Sequence, residues 1–79
     1  MPTTNLASLK PGQSAKIVDL NLESGLERRL YALGFHRGQE IQLLRRGWLS
    51  GPLHIRIRMT EVMLRHCDAC KVHVASIIG

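Results

Sequence analysis

The sequence predicts a mainly β protein, a small five-stranded barrel with one inserted α-helix at about 24–33 and a short helical turn at about 66–70. Three observations lead there. The chain has 79 residues, enough for one domain around one small core. Leu53, Ile55, Ile57 and Met59 alternate with His54, Arg56 and Arg58, the period of a strand with one buried face. Gly34 and Gly38 bracket Phe35-His36-Arg37, so a helix can end on a left-handed residue and the chain can turn at once into a strand.

In chain order, Leu9 to Gly12 reads as an entry turn and Ala15 to Leu20 as the first strand, with Ile17 and Val18 supplying β-branched packing. Asn21 to Glu23 interrupts it. Ser24-Gly25-Leu26-Glu27 has the form of a capping box, in which the Ser24 hydroxyl accepts from the Glu27 backbone N–H and the Glu27 carboxylate reaches back. The helix is therefore expected to begin near Gly25. Leu22, Leu26, Leu30 and Leu33 fall on one side of it and should cover the barrel, with Arg28 and Arg29 towards the other face. Further strands are expected at 40–46, at 53–59, at 60–65 after a tight turn at Met59-Thr60, and at 71–77. Short strands, glycine turns and a single helix suit a barrel rather than a bundle. No repeat, low-complexity stretch or linker divides the chain, so residues 1–79 read as one domain.

Eleven Lys and Arg against six Asp and Glu give a net charge of +5. That raises nucleic acid, anionic lipid or an acidic protein surface as partners, beside the simpler reading of solvated barrel faces. Met1-Pro2-Thr3-Thr4 does not open a secretory signal, and no stretch approaches the roughly 20 apolar residues of a membrane span. A cytoplasmic protein without direct membrane insertion is expected. His36, His54, His66 and His73 are scattered, no Ser or Cys sits in a nucleophile turn, and no glycine-rich phosphate loop is present, so no catalysis is expected.

Arg29-Leu30-Tyr31-Ala32-Leu33-Gly34-Phe35-His36-Arg37-Gly38-Gln39-Glu40-Ile41, followed by Gly51-Pro52-Leu53-His54-Ile55-Arg56-Ile57-Arg58 and Leu64-Arg65, resembles the ferrous iron transport protein A family, FeoA. The resemblance runs from Leu9-Lys10-Pro11-Gly12 to Val72-His73-Val74, and its specificity lies in order and spacing. It implies an SH3-like barrel in the bacterial cytosol, an accessory module that contacts the membrane ferrous iron transporter (FeoB-type) and modulates uptake, peripheral to the inner membrane through that partner. No resident cofactor is required for such a role.

Peptide recognition by SH3-type barrels uses grooves between loops, which nominates Phe35, Arg37, Trp48 and Leu49 as partner contacts. The loop Gly47 to Pro52 carries the single tryptophan beside a leucine, and it departs from the short proline and glycine-aspartate loop common in the family. Trp48 either folds back over the barrel mouth or meets a partner. His66, Cys67, Cys70 and His73 form a second candidate, a Zn(II) or Fe(II) cluster short of a fourth donor from Cys and one His alone. Family members often carry charged residues at both cysteine positions and keep the alanine at Ala69, which implies outward thiols and an inward Ala69. A homodimer or metal-bridged oligomer is compatible with these features. The alternative reading is a nucleic-acid- or repressor-associated SH3-like module of metal-dependent regulation. Direct nucleic-acid binding is disfavoured, because Tyr31, Phe35 and Trp48 fall on three different elements and do not form one stacking platform.

Overall fold

The computed structural model describes residues 3–76. Among them, six strands form one antiparallel sheet: β1 Thr3–Asn5, β2 Ser14–Leu20, β3 Glu40–Arg46, β4 Leu53–Ile57, β5 Thr60–Leu64 and β6 Val72–Ser76, in the order β1-β6-β2-β3-β4-β5. The sheet is strongly curled but not closed, so β1 and β5 remain edges. Helix α1, Ser24–Ala32, is inserted between β2 and β3, and the one-turn α2, His66–Ala69, between β5 and β6. One strand more than expected is present because Thr3–Asn5 pairs with β6 (Thr4 opposite Val74); three polar residues carry too little alternation to announce a strand.

Alternation sets the buried face. Ala15 and Ile17 of β2, Ile41 and Leu43 of β3, Leu53, Ile55 and Ile57 of β4, and Val72 and Val74 of β6 point into one core. Two bulges curl the sheet around it. The β2–β6 register slips between Ile17 and Asp19, and the β3–β4 register between Leu43 and Arg45, so Val18 and Leu44 are the extra residues. A bulge adds local twist and re-aims the residues beyond it. Past the second one, Arg45 faces outward opposite His54, and Arg46, opposite buried Leu53, reaches the carbonyls of Ala7 and Leu9.

The end of α1 is a Schellman motif. The Phe35 N–H donates to the Leu30 carbonyl at 2.9 Å and the Gly34 N–H to that of Tyr31 at 3.0 Å, with Gly34 at φ +105°. Phe35 and Leu30, the pair this motif brings together, are both buried. The turn that follows clamps onto β2, where the Gly38 N–H donates to the Ile17 carbonyl at 2.8 Å and the Ile17 N–H to that of Gln39 at 2.9 Å.

Several boundaries differ from the sequence expectation for local reasons. The capping box does not form. Glu23 is the N-cap with no side-chain cap bond, and the Glu27 N–H donates to the Glu23 carbonyl, so the helix already includes Ser24. Leu22 and Leu26 pack against the core, whereas Leu33 at the C-cap is 43% exposed. The β4–β5 turn is Arg58-Met59, not Met59-Thr60, because Ile57 pairs with Thr60 and Arg58 takes φ 55°. The expected last strand reached Ile77, which lies outside the described residues.

A Cβ at Gly34 would lie 3.1 Å from the Ile57 Cγ2 in a backbone conformation unsuited to side chains. Gly34→Ala should therefore cost about 1–2 kcal/mol. The check is urea unfolding, with a lowered midpoint and an unchanged slope; an unchanged midpoint would contradict the left-handed exit.

Candidate functional sites

Strand β3 separates two of the expected contact regions. Arg37 precedes its first residue and Trp48 follows its last, so seven residues of strand, roughly 20 Å, lie between them. They do not form one patch. Phe35 is fully buried and belongs to the core, so the expectation that it contacts a partner is corrected. The Schellman exit turns its ring inward against the helix it terminates.

At the Arg37 end, the guanidinium meets the Asp19 carboxylate at 2.8 Å, and the same carboxylate accepts from the Leu20 N–H at 2.9 Å. These bonds, the Arg37 one foremost, hold the Asp19 carboxyl below its ordinary value of 3.8. The Tyr31 and His36 rings lie 5.4 Å apart at 49°, and Tyr31 is largely exposed. Together with Leu20 and Glu27 they line a shallow depression. Asp19 was not singled out from the sequence, and Tyr31 was weighed only as a stacking ring for nucleic acid. Asp19 stands 18 residues from Arg37, and only the clamp of the Gly38 turn on β2 makes them neighbours.

At the opposite end, the β3–β4 loop is a tight reversal. The Gly51 N–H donates to the Trp48 carbonyl at 3.1 Å and the Gly47 N–H to that of Pro52 at 2.8 Å, with Leu49 at φ 52° and Ser50 at φ 61°. Two left-handed central residues make the type I′ geometry that favours Asn-Gly, yet Leu-Ser occupies it. A Cβ on Gly47 would meet Gly51 backbone at 2.9 Å, so the loop stem closes only with glycine there. Trp48 is 86% exposed and Leu49 85%; the tryptophan does not fold back over the barrel.

In the cysteine turn, Cys67 and Cys70 are free and exposed while Ala69 is buried. Cys70 Sγ lies 3.7 Å from His66 Nδ1. That separation is close to the edge of about 3.6 Å expected between nitrogen and sulfur ligands of a tetrahedral zinc. It supplies two donors. Cys67 instead lines the groove between α1 and β5, and His73 sits in β6 between Asn5 and Asp19. The four expected ligands are thus not brought together, and no group of three His, Cys, Asp or Glu side chains able to hold a metal occurs among the described residues. A closed metal site within one chain does not fit this arrangement. Asp68, the buried carboxylate of the turn, is engaged by Arg65 at 2.9 Å. On the β4–β5 face, Glu61 bridges His54 at 2.7 Å and Arg56 at 3.3 Å, so His54 is not simply solvated as its outward position suggests.

A small curled antiparallel sheet with a helix inserted between β2 and β3 defines an SH3-like domain. A family model described as the FeoA domain matches residues 4–76, and the chain belongs to the FeoA family. The solution structure of FeoA from Chlorobium tepidum is similar at 28% identity and a TM-score of 0.91, covering 96% of this chain and 72% of that one. FeoA of Stenotrophomonas maltophilia, complexed with zinc, is 30% identical with a TM-score of 0.75, covering 91% of this chain and 89% of that one. It is described as a prokaryotic SH3 domain protein and a candidate bacterial ferrous iron transport activating factor. A manganese-dependent transcriptional repressor shares the fold alone, at 18% identity and a TM-score of 0.85, covering 96% of this chain and 42% of the repressor. Comparison with curated proteins returned no match. Family membership ties the chain to ferrous iron transport.

The Asp19–Arg37 pair carries a titration prediction. A carboxyl whose folded pKa is depressed stabilises the fold above its unfolded value and loses that contribution as pH falls through the folded one. The Asp19 carboxyl should therefore titrate below 3.8 by NMR, and Arg37→Gln should move its midpoint up towards 3.8. Identical midpoints in the two proteins would show that the pair does not persist in solution.

Proposed function

We propose that this chain is a cytosolic accessory module that binds and modulates the membrane ferrous iron transporter of FeoB type. Membership of the FeoA family over residues 4–76 carries this reading. The absence, among the described residues, of a helix long and apolar enough to cross a membrane agrees with a role outside the bilayer core. The module acts by contact rather than by turnover and needs no resident cofactor.

The transporter contact is assigned to the Arg37 end. There the surface is concave, held in shape by the Asp19–Arg37 pair, and offers an exposed tyrosine beside charges of both signs. Tyr and Arg are the residues that most often carry protein–protein binding energy, and a preformed surface loses little entropy on association. Arg37 keeps the role expected for it, whereas Trp48 and Leu49 lie too far away to share that surface.

The test is recovery of proteins with the tagged chain from detergent-solubilised membranes of its own source, handled without oxygen. The ferrous iron transporter should co-purify with the wild type, and recovery should fall by about tenfold or more in Arg37→Glu, the scale of a lost interfacial hot spot. Recovery of nucleic acid or a repressor in place of the transporter would overturn the reading.

A further inference from the structure

We propose that the Trp48–Leu49 tip is a lipid-contact element that seats in the headgroup region of an anionic bilayer. The tip is the most prominent apolar projection of the β3–β4 hairpin, and Pro52 beside it is also exposed. Its shape is imposed rather than incidental. Leu49 and Ser50 hold left-handed conformations that no propensity favours for them, and the Gly47–Gly51 approach closes the stem beneath. Strain at an exposed apex persists where it serves contact.

The charges around the tip name its occupant. Arg45 and Arg46 end β3 immediately before it. The Arg46 guanidinium donates to the carbonyls of Ala7 and Leu9, fixing the stem to the segment that carries Lys10. Arg46 pairs with Leu53 and Leu53 with Leu64, which places Arg65 at the same end. The sequence has no Asp or Glu between Glu40 and Glu61, and the Asp68 carboxylate is paired with Arg65. Tryptophan prefers the membrane–water interface, where its ring meets acyl chains and its N–H stays wet. Basic residues beside it gain from the negative surface potential of anionic lipids. A protein hot spot instead needs a ring of neighbouring contacts over about 800 Å² on each side. A narrow convex turn offers two apolar side chains and little rim, which suits a yielding lipid surface better than a rigid pocket.

Trp48 is the only tryptophan of the chain, so its fluorescence reports directly on the tip. Purified full chain is mixed at low salt with phosphatidylcholine vesicles or with vesicles that also contain phosphatidylglycerol. Trp48 emission should shift to the blue and be quenched by brominated acyl chains in the anionic vesicles, and respond weakly in the neutral ones. Leu49→Ser should lower vesicle partitioning by about fivefold, and Arg45→Glu by about tenfold or more, with circular dichroism unchanged. No response to anionic vesicles would overturn the proposal, as would undiminished co-sedimentation of the Trp48→Ala/Leu49→Ser double variant, which would mean net charge alone attracts the chain. A blue shift on adding detergent-purified transporter but not vesicles would reassign the tip to a protein partner and equally overturn it. The vesicle experiment contains no transporter, so its failure leaves the accessory reading standing.

Discussion

The burial of Phe35 one residue after a left-handed glycine is the contact on which the rest of the structure depends. In 79 residues the core is small, and Phe35, the only phenylalanine of the chain, is the largest of its fully buried side chains. Removing so large a group from water contributes on the order of 2–3 kcal/mol, a sizeable share of the net stability of a domain this size. The ring reaches the core only because Gly34 ends α1 in a Schellman turn, and the same turn then delivers Gly38 to the backbone of β2. One local event thus ties the helix to the sheet, fills the core and sets the Arg37 loop against Asp19.

The curvature of the sheet has an equally local origin. Had β2 and β3 kept perfect register, Val18 and Leu44 would have continued the alternation, and the residues beyond them would have met the core on the wrong face. The two bulges absorb one residue each. Beyond the first, Asp19 emerges on the outside opposite His73; beyond the second, Arg45 emerges opposite His54 at the foot of the tip. Both candidate surfaces therefore begin where a register shift turns charged side chains outward, which is a common use of bulges.

What was legible in the sequence was whatever rests on local periodicity and turn chemistry. The alternation of β4, the helix and the glycine exit at Gly34 can be read because each depends on residues within one or two turns of one another. The inward Ala69 and outward cysteines followed from the family resemblance. Thr3–Asn5 could not be read as a strand, since its place is decided by pairing with β6 some 70 residues on. Ser24 looked like a cap, but the chain enters the helix one residue earlier, and a side chain already inside the first turn cannot cap it. The same limit applies to the sites. Spacing suggested that His66, Cys67, Cys70 and His73 converge, yet β6 carries His73 into the sheet beside Asp19, and a one-turn helix splays the two thiols to different surroundings. Phe35 failed as a contact because an aromatic in a turn gives no local sign of which way the turn aims it.

The distribution of ion pairs gives the +5 charge a sharper meaning than its magnitude. Among the described residues, Asp19, Glu61 and Asp68 hold Arg37, Arg56 and Arg65, each pair joining neighbouring parts of the surface, and Glu61 also engages His54. Solvent screens the exposed pairs at Asp19 and Glu61, which add little to stability, so their main consequence is local neutralisation. Around the Arg37 depression, Asp19 and Glu27 balance the cations, and a partner would meet a surface with no strong field. At the far end of β3, the sequence has no carboxylate within the tip or its stem, which leaves the Arg45 charge beside Trp48 and Leu49 while Arg46 is held on the carbonyls of Ala7 and Leu9. The stretch from Ile41 to Thr60 holds Arg45, Arg46, Arg56 and Arg58 and no carboxylate, and Arg45 and Arg46 stand beside the most exposed aromatic of the chain, whereas at the other end of β3 Asp19 and Glu27 share the depression with Arg37. Two ends so different in shape and charge can meet chemically different environments at once, which is what the proposed transporter contact and the proposed lipid contact together require.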